Sequence, residues 1–237
     1  MNKMITAPQE SSIKGNKSDS QGMLEKISEH LKVGIRSGRF VPGQHLLESD
    51  LTRQLGCSRG SLRPAMIHLA ADGIITLNRF KGARISVLSR KCIVDLLDVL
   101  EILVTFMADR ACQRINIENN RTLLEQAISA LKDTAKKGDN VDYLQKREDF
   151  YNALIAVSGN SELHRAVPHL RADLLKVQMQ IMQGNSVKDI HIKDYEDIAE
   201  AILAGNFKKA EKSIAKHYQR TRDSVEKIPD DLFPRTD

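Results

Sequence analysis

The chain has 237 residues and a formal net charge of +5, and its 41% hydrophobic content suits one or two domains with a sizeable core. No apolar run approaches the roughly 20 residues of a membrane helix, and the polar N-terminus lacks the apolar core of a signal peptide. Three cysteines without metal-ligand spacing, Cys57, Cys92 and Cys112, argue against a disulfide framework, so we expect a cytoplasmic protein.

The first part of the chain is predicted to contain a tail and one helix. Residues 1–20 are polar and predict a disordered tail. Apolar residues at helical spacing predict an amphipathic helix over about 21–37. They are Leu24, Ile27, Leu31 and Ile35. A turn-rich connector around Pro42 and Gly43 separates this helix from the next segment.

Two short helices joined by a glycine turn are predicted next. The first covers residues 48–55, Gly56 permits the tight turn, and Ser58 is placed to cap the N-terminus of the second helix. The second helix buries an apolar stripe and ends at Asp72-Gly73. This spacing is typical of a helix-turn-helix, whose second helix enters the major groove of DNA.

A β-hairpin with a basic tip follows the two helices. Strands rich in β-branched residues are predicted over 74–77 and 83–88, and a short basic turn joins them. Arg79 and Lys81 in this turn are placed to reach phosphate or the minor groove. The hairpin completes the order of a winged helix-turn-helix domain, which we predict over residues 21–88.

Basic residues are concentrated on this predicted domain. Residues 21–90 hold 11 Lys and Arg against 5 Asp and Glu, whereas residues 91–237 hold 22 against 24. Arg59 and Arg63 lie four residues apart near the start of the second helix, so they point the same way. Arginine at this end can bond guanine or clamp phosphate. Ser61 and the capping serine can add phosphate contacts, so the motif predicts binding to double-stranded DNA.

The rest of the chain is predicted to be helical, with no convincing strand. The predicted helices cover about 91–114, 116–136, 141–157, 161–182, 187–203 and 207–227. We expect a break or kink at Pro168, because proline lacks the backbone N–H that an inner helical turn needs. The pattern predicts a mostly α protein whose second domain, 91–228, is an antiparallel helical bundle, followed by a tail over 229–237.

The segment from Ile35 to Val87 reads IRSGRFVPGQHLLESDLTRQLGCSRGSLRPAMIHLAADGIITLNRFKGARISV and resembles the GntR family of bacterial regulators. The SGxxxPGxxLxExxL opening, the Cys-Ser-Arg turn, the two-arginine helix and the Lys-Gly wing fall in the family order. The resemblance implies that Arg59 and Arg63 contact DNA and that Gly82 lies at the wing tip.

Two residues depart from the family pattern. Ser49 stands where some members have an arginine that touches DNA, so we expect one contact to be missing. Pro64 stands where glutamate is usual, and a proline inside a helix costs on the order of 3 kcal/mol or forces a kink. We therefore expect a recognition helix that is distorted at Pro64 or that begins later than Ser58.

The second domain resembles the FCD ligand-binding domain of the FadR-like GntR subgroup. The matching segments are Leu100-Glu101 in the first helix, FYNALIAVSGN over Phe150–Asn160, and AILAGNFKKAEKSIAKH over Ala201–His217. The resemblance spans most of residues 91–220 and implies a domain that binds an effector and forms the dimer.

The resemblance also implies where a metal would lie, because many FCD members hold a divalent metal with an Asp-x3-His pair and two further histidines. These positions are Arg147, Tyr151, Tyr195 and His217 in this chain. Arginine repels a cation, tyrosine is a poor ligand near neutral pH, and one histidine cannot complete the site. We expect the family metal to be absent and no cofactor to be bound.

The same four residues are the candidate effector site. Arg147 and Tyr151 share a helix face, and a guanidinium, two phenols and an imidazole suit a carboxylate or phosphate. Two alternatives stay open: Arg147 anchors a small anionic effector, or it pairs with a carboxylate on a facing helix. A family arginine falls at Leu97, which weakens the idea of an unchanged acid pocket. His191, four residues before Tyr195, is a further pocket candidate in a shifted register.

Together these patterns predict a DNA-binding transcriptional regulator, a repressor that responds to an organic acid. We expect a homodimer on a short palindromic operator, because helix-turn-helix dimers read two related half-sites. The alternative is a ligand-independent DNA-binding dimer whose helical bundle only dimerises. Nothing indicates an enzyme, since the chain offers no setting for an activated serine or cysteine and no glycine-rich phosphate loop.

Overall fold

The computed structural model describes residues 14–79, 82–137, 140–183 and 188–234. The chain separates into two compact units. The smaller unit comprises the described residues up to Lys32 together with Gln44–Ser86, and the larger comprises Val33–Gly43 together with the described residues from Val87 onward. None of the helices in the described ranges combines the length and the apolar character that a membrane span requires.

The smaller unit contains helices and a small antiparallel sheet. Its helices are α1 (Lys14–Arg36, whose last turn belongs to the larger unit), α2 (Glu48–Leu55) and α3 (Arg59–Ala71). Its strands are β1 (His45–Leu46), β2 (Ile75–Asn78) and β3 (Gly82–Ile85), in the order β1-β3-β2. This arrangement is a winged helix-turn-helix.

One apolar core joins these helices to the sheet. Its buried residues include Ile27, Leu31, Leu51, Leu62, Leu69, Ile75 and Ile85. Burial of each of these side chains stabilises the fold by about 1.5–3 kcal/mol relative to an exposed position, so the core holds α3 in a fixed position within this unit. Gly56 has φ 62 at the end of α2, a left-handed conformation that suits glycine and gives the tight turn before α3.

Two local features differ from the expectations of the sequence. Helix α1 begins at Lys14, so the predicted disordered tail is wrong for residues 14–20, and residues 1–13 lie outside the described part. The polar first turns of α1 carry no apolar period, so periodicity marked only the buried part of the helix. Strand β1 was not predicted, because two residues are too few to show an alternating pattern.

Pro64 does not interrupt the recognition helix. Helix α3 begins at Arg59, and the Ser58 carbonyl accepts the first helical hydrogen bond, from the Leu62 N–H at 3.0 Å. Ser58 is the N-cap of this helix, so Pro64 does not delay the start of the helix. Pro64 removes one inner backbone hydrogen bond, but Leu62, Ala65, Met66 and Leu69 are buried around it and hold the helix in place.

The larger unit is a helical bundle. Its further helices are α4 (Arg90–Arg114), α5 (Asn120–Lys137), α6 (Asn140–Ser158), α7 (Leu163–Ala166), α8 (His169–Gln183), α9 (Lys188–Leu203) and α10 (Phe207–Glu226). Helix α4 packs against α6, α9 and α10, and α5 packs against α6 and α9. The predicted break at Pro168 is confirmed, because α7 ends at Ala166 and α8 begins at His169.

Helix α8 is enclosed by the bundle on most of its sides. Its residues Asp173, Leu174, Leu175, Val177, Gln178 and Met179 are all buried. A helix buried on every side is normally apolar throughout. The acidic and amide side chains of α8 therefore need partners inside the bundle, and they place polar chemistry next to its core.

The end of the chain is attached to the bundle. A 3-10 helix (Asp230–Leu232) follows α10, and the Phe233 ring is buried with the Arg90 guanidinium 4.6 Å from its centroid. Arg90 also donates to the Val225 and Ile228 carbonyls and pairs with Asp230 at 2.8 Å. The predicted tail over 229–237 is therefore wrong up to residue 234, and residues 235–237 lie outside the described part.

Candidate DNA-binding face and effector cavity

The N-terminus of α3 is fixed by its capping serine. Ser58 Oγ accepts a hydrogen bond from the Ser61 N–H at 3.1 Å, and the two hydroxyls lie 3.0 Å apart. A serine cap stabilises a helix by about 1 kcal/mol. The hydrogen bond to Ser61 confirms the prediction that Ser58 caps α3. Both serines therefore lie at the positive end of the helix, where an anion is favoured.

The two candidate DNA-reading arginines are exposed cations. Arg59 and Arg63 both lie on the solvent side of α3, four residues apart, and neither forms an ion pair within the described ranges. An arginine without a carboxylate partner keeps its full charge and all its donors for phosphate or a base edge. The surface of α3 thus has the chemistry that the motif predicts.

The hairpin supplies further positive charge. Arg79 is exposed at its tip, Gly82 has φ 71 at the start of β3, and Lys81 lies outside the described residues. Arg84, which was not predicted, is exposed on β3 opposite Thr76. The alternation of exposed and buried residues along β3 was the available sign, because it places Arg84 on the outer face.

The helical unit encloses a small cavity between α4, α6, α8, α9 and α10. Its volume is about 30 Å³. On the α4 side its lining is apolar: Leu97, Leu100, Leu103, Val104 and Met107. On the other side its lining includes Arg147, His169, Lys176, Tyr195 and His217. A cavity of this size holds about two water molecules, since each needs roughly 10–15 Å³.

The structure brings together the four residues of the candidate effector site. The Tyr151 and Tyr195 rings are 5.9 Å apart edge to face, and the Tyr195 and His217 rings are 5.1 Å apart. The Arg147 guanidinium lies 5.6 Å from the Tyr151 ring centroid. Each of the four residues is at most 8% exposed, so they form one buried cluster beside the cavity.

Arg147 is already paired in this cluster. Its Nη2 donates to Asp173 Oδ1 on α8 at 2.7 Å, and both residues are buried. Of the two alternatives for Arg147, the structure therefore shows the ion pair with a carboxylate on a facing helix. Its Nε–H has no hydrogen-bond partner among the described residues. One edge of the guanidinium is thus still available to a ligand.

His217 is held as a neutral side chain. Burial lowers its pKa, and this outweighs the opposite effect of Asp194, whose Oδ2 lies 3.2 Å from His217 Nδ1. Asp194 is also bonded to Arg220, at 2.5 Å. Although burial raises the pKa of Asp194, these partners lower it overall, so this carboxylate stays charged. His217 is thereby oriented by α9 instead of being free to turn.

Lys176 is the residue beside the cavity that the sequence did not single out. It lies on α8, one turn after the buried Asp173, and forms no ion pair with a described residue. Burial, with the nearby positive charge of Arg147, lowers the pKa of Lys176 to about 7. The sequence signal that could have identified Lys176 is its position in the mostly apolar segment Leu174–Met179, because burying a charged lysine costs free energy.

Family comparisons match both units of the chain. Residues 24–85 match the family described as "Bacterial regulatory proteins, gntR family", and residues 95–220 match the FCD domain. The second match covers more than half of the chain. This protein is a GntR-family regulator with an FCD domain. It is therefore a DNA-binding transcriptional regulator, and the family and its relatives are regulators instead of enzymes.

Similar proteins agree with this assignment. The "Probable D-xylose utilization operon transcriptional repressor" of Paenarthrobacter nicotinovorans is 22% identical over 195 residues, 82% of this chain and 85% of its own length. The "HTH-type transcriptional repressor RspR" of Escherichia coli K12 is 21% identical over 209 residues, 88% of this chain and 91% of its own. These relatives span nearly the whole of this GntR regulator.

Solved structures share the fold. The E. coli protein McbR/YncC has a TM-score of 0.72 at 16% identity, covering 86% of this chain and 97% of its own. A GntR regulator from Rhodococcus sp. RHA1 has a TM-score of 0.71 at 17% identity, covering 86% and 98%. At these identities the likeness concerns the fold alone, a winged helix-turn-helix joined to a helical FCD domain.

The cluster in this FCD domain does not fit a divalent metal. Among the described residues no three His, Cys, Asp or Glu side chains lie close enough to hold one. The Arg147 guanidinium would repel a cation, and burial raises the pKa values of Tyr151 and Tyr195 well above normal, so neither phenol supplies a charged oxygen. The absence of the family metal remains a prediction, which metal analysis of the purified protein can test. The side chain of His191 lies outside the described part.

Proposed function

We propose that this protein is a GntR-family repressor controlled by a small organic acid that binds in the cavity of the helical unit. The observation that carries the proposal is a set of unsatisfied polar groups around an enclosed space. Arg147 Nε, His169 Nε2 and Tyr195 Oη are buried without a hydrogen-bond partner among the described residues. Buried polar atoms are nearly always satisfied, so three exceptions beside one cavity favour a ligand.

The lining favours a carboxylate with an apolar body. Lys176 supplies a cation, and Arg147 Nε–H and the Tyr195 hydroxyl supply donors, so an anionic head is favoured on the α8 side. Leucine, valine and methionine side chains of α4 line the opposite wall and suit a hydrocarbon chain. A short-chain fatty acid carries both features, and hexanoate is a suitable probe.

Lys176, together with the free edge of Arg147, is the proposed anchor for the anion. The main charge of Arg147 is compensated by Asp173, whereas Lys176 has no acidic partner among the described residues. An anion beside Lys176 would favour its charged form and offset the cost of burying it. Tyr151, Tyr195 and His217 are proposed to shape the site and to donate hydrogen bonds to the head group.

Calorimetry with hexanoate tests this assignment. We expect hexanoate to bind the full-length protein, whereas 1-hexanol and inorganic phosphate, which carry only one of the two features, bind at least about tenfold more weakly. Lys176→Met should weaken binding of hexanoate at least about tenfold without unfolding the protein. Lys212→Met on the exposed face of α10 is the control, with the same loss of charge. Equal hexanoate affinity of wild type and Lys176→Met would reject Lys176 as the anchor.

On the DNA side, we propose that the protein binds a palindromic operator as a homodimer in the cytoplasm. The contacts are assigned to Ser58, Arg59, Ser61 and Arg63 on α3, and to Arg79, Lys81 and Gly82 of the wing. The exposed state of both arginines on α3 supports this assignment. A second copy is needed to read both half-sites. Light scattering that finds only monomers on the operator would contradict the dimer.

The alternative is a ligand-independent DNA-binding dimer. Two observations favour it: Arg147 is paired with Asp173, and the cavity is too small for hexanoate without side-chain movement. This alternative predicts that no organic acid changes operator affinity. Titration of operator complexes with hexanoate distinguishes the two functions, because hexanoate should weaken operator binding only if the protein is an effector-controlled repressor.

A further inference from the structure

Helix α8 connects the cavity to the last turn of α1 through one buried carboxylate. Asp173 Oδ1 accepts from Arg147 Nη2 at 2.7 Å, and Asp173 Oδ2 accepts from Arg36 Nε at 2.8 Å. Asp173 is 1% exposed and Arg36 is 4% exposed. The two arginines thus share a single carboxylate inside the helical unit, one from the cavity wall and one from the end of α1.

Arg36 is held by more than this one bond. Its Nη1 donates to Gln145 Oε1 at 2.7 Å, and its Nη2 donates to Glu148 Oε2 at 2.7 Å. Gln145 and Glu148 lie on α6, the helix that carries Arg147, and Glu148 also lines the cavity. Among the described residues, the hydrogen-bond partners of this guanidinium therefore lie on helices that border the cavity.

The same helix α8 holds a second segment through an amide. Gln178 Oε1 accepts from the Leu88 N–H at 2.8 Å, and Gln178 Nε2 donates to the Leu88 carbonyl at 2.8 Å. Gln178 and Leu88 are both buried. This pair of hydrogen bonds fixes the backbone of Leu88 directly to α8, in the way that a neighbouring strand would.

Both held segments are where the chain passes from one compact unit to the other. Arg36 ends α1, the helix whose residues up to Lys32 belong to the DNA-binding unit. Leu88 comes two residues after Ser86, which is the last residue of that unit. Lys176, the proposed ligand anchor, lies on α8 between Asp173 and Gln178.

We infer that Asp173 and Gln178 are positioning residues, through which a ligand in the cavity acts on the two segments leading to the DNA-binding unit. The inference rests on the proposed function of the cavity. A ligand larger than about two water molecules must displace the walls, and α8 is the wall that carries the anchor. An anion on Arg147 also competes with Asp173 for the guanidinium. Displacement of α8 therefore loosens its hold on Arg36 and Leu88.

Amide hydrogen exchange of the full-length protein tests this coupling. Hexanoate should accelerate exchange in residues 33–36 at least about fivefold in the wild type, a usual size of coupling between sites. Asp173→Asn and, if that variant folds poorly, Arg36→Lys should exchange quickly in this turn from the start and no longer respond. Both should bind hexanoate. Glu196→Gln, which breaks the 2.7 Å ion pair of Lys132 on α5, is the matched control and should respond like the wild type.

A ligand-free arm separates failure of the coupling from failure of the proposed effector. Arg147→Lys disturbs the cavity side of Asp173 directly. As a single substitution, Arg147→Lys should accelerate exchange in residues 33–36. When it is combined with Arg36→Lys, it should cause no further acceleration, because the effects of coupled residues are not additive. Additive effects of the two substitutions would overturn the inference whether or not hexanoate binds. Bound hexanoate without any change in residues 33–36 would overturn it as well.

Discussion

The DNA-binding face and the effector cavity use the same chemistry, cationic side chains for an anionic partner, in opposite settings. Arg59 and Arg63 are exposed and have no ion pair among the described residues, so their donors are available to DNA without rearrangement. Arg147 is buried and paired with Asp173, whereas Lys176 is partly buried beside the cavity and has a pKa lowered by its surroundings. A surface cation binds without reorganisation, whereas a buried one binds only when its surroundings change. The second setting therefore suits a switch.

The largest expected effect is on the exposed side. Arg63→Ala should weaken binding to an operator selected from random DNA by about 1–3 kcal/mol, roughly tenfold to a hundredfold, because a fork of donors is lost from the recognition helix. Fluorescence anisotropy of labelled operator measures this change. Arg165→Ala removes an arginine whose side chain is 86% exposed on α7 and should leave affinity unchanged. Equal affinities of the two variants would show that α3 does not read the operator.

The two regions also differ in how well the sequence predicts them. The recognition helix is defined by local rules, a capping serine, a left-handed glycine and a four-residue arginine spacing, and the structure shows each of them. Even there Pro64 misled, because the propensity of one residue does not include the tertiary packing of its neighbours. Local sequence thus predicted the cap, the turn and the arginine spacing of this helix, and its contacts with DNA stay a prediction.

The cavity depends on residues that are far apart in the chain. The family positions brought together Arg147, Tyr151, Tyr195 and His217, but they gave no sign of Lys176 or Asp173. Those two residues lie on α8, where no family motif was matched, and the two arginines that Asp173 binds are 26 and 137 residues away. Periodicity identifies a buried face but not which buried charge meets another. Only the packing of five helices shows that Arg147 is paired with Asp173, whereas Lys176 has no acidic partner among the described residues.

A second prediction concerns pH and applies only to the cavity. The pKa of Lys176 is about 7 in the protein, and a bound anion should raise it, so binding above pH 7 takes up a proton. Hexanoate affinity should thus be flat between about pH 6 and 7 and should fall by up to about tenfold per unit above pH 7. His217 and His169 have lowered pKa values and stay neutral in this range. Arg147 and Asp194 keep their charges.

Calorimetry in buffers of different ionisation enthalpy measures this proton uptake. Lys176→Met removes the titrating group, so any residual binding by that variant should not depend on pH above 7. Operator binding without hexanoate is the comparison, because it does not involve Lys176. A wild-type affinity that stays constant from pH 7 to 9 would mean that Lys176 does not carry the charge of the site.

The smallest expected effect is at the wing, which is the intermediate case between the two regions. Arg79 is exposed like Arg63, but it lies at the tip of a hairpin, and its expected contact is with phosphate. Arg79→Ala should therefore weaken specific and non-specific DNA alike and reduce the slope of log affinity against log salt by about 1. Arg63→Ala should instead change the preferred sequence. A loss of sequence preference in Arg79→Ala with an unchanged salt slope would mean that the wing reads bases.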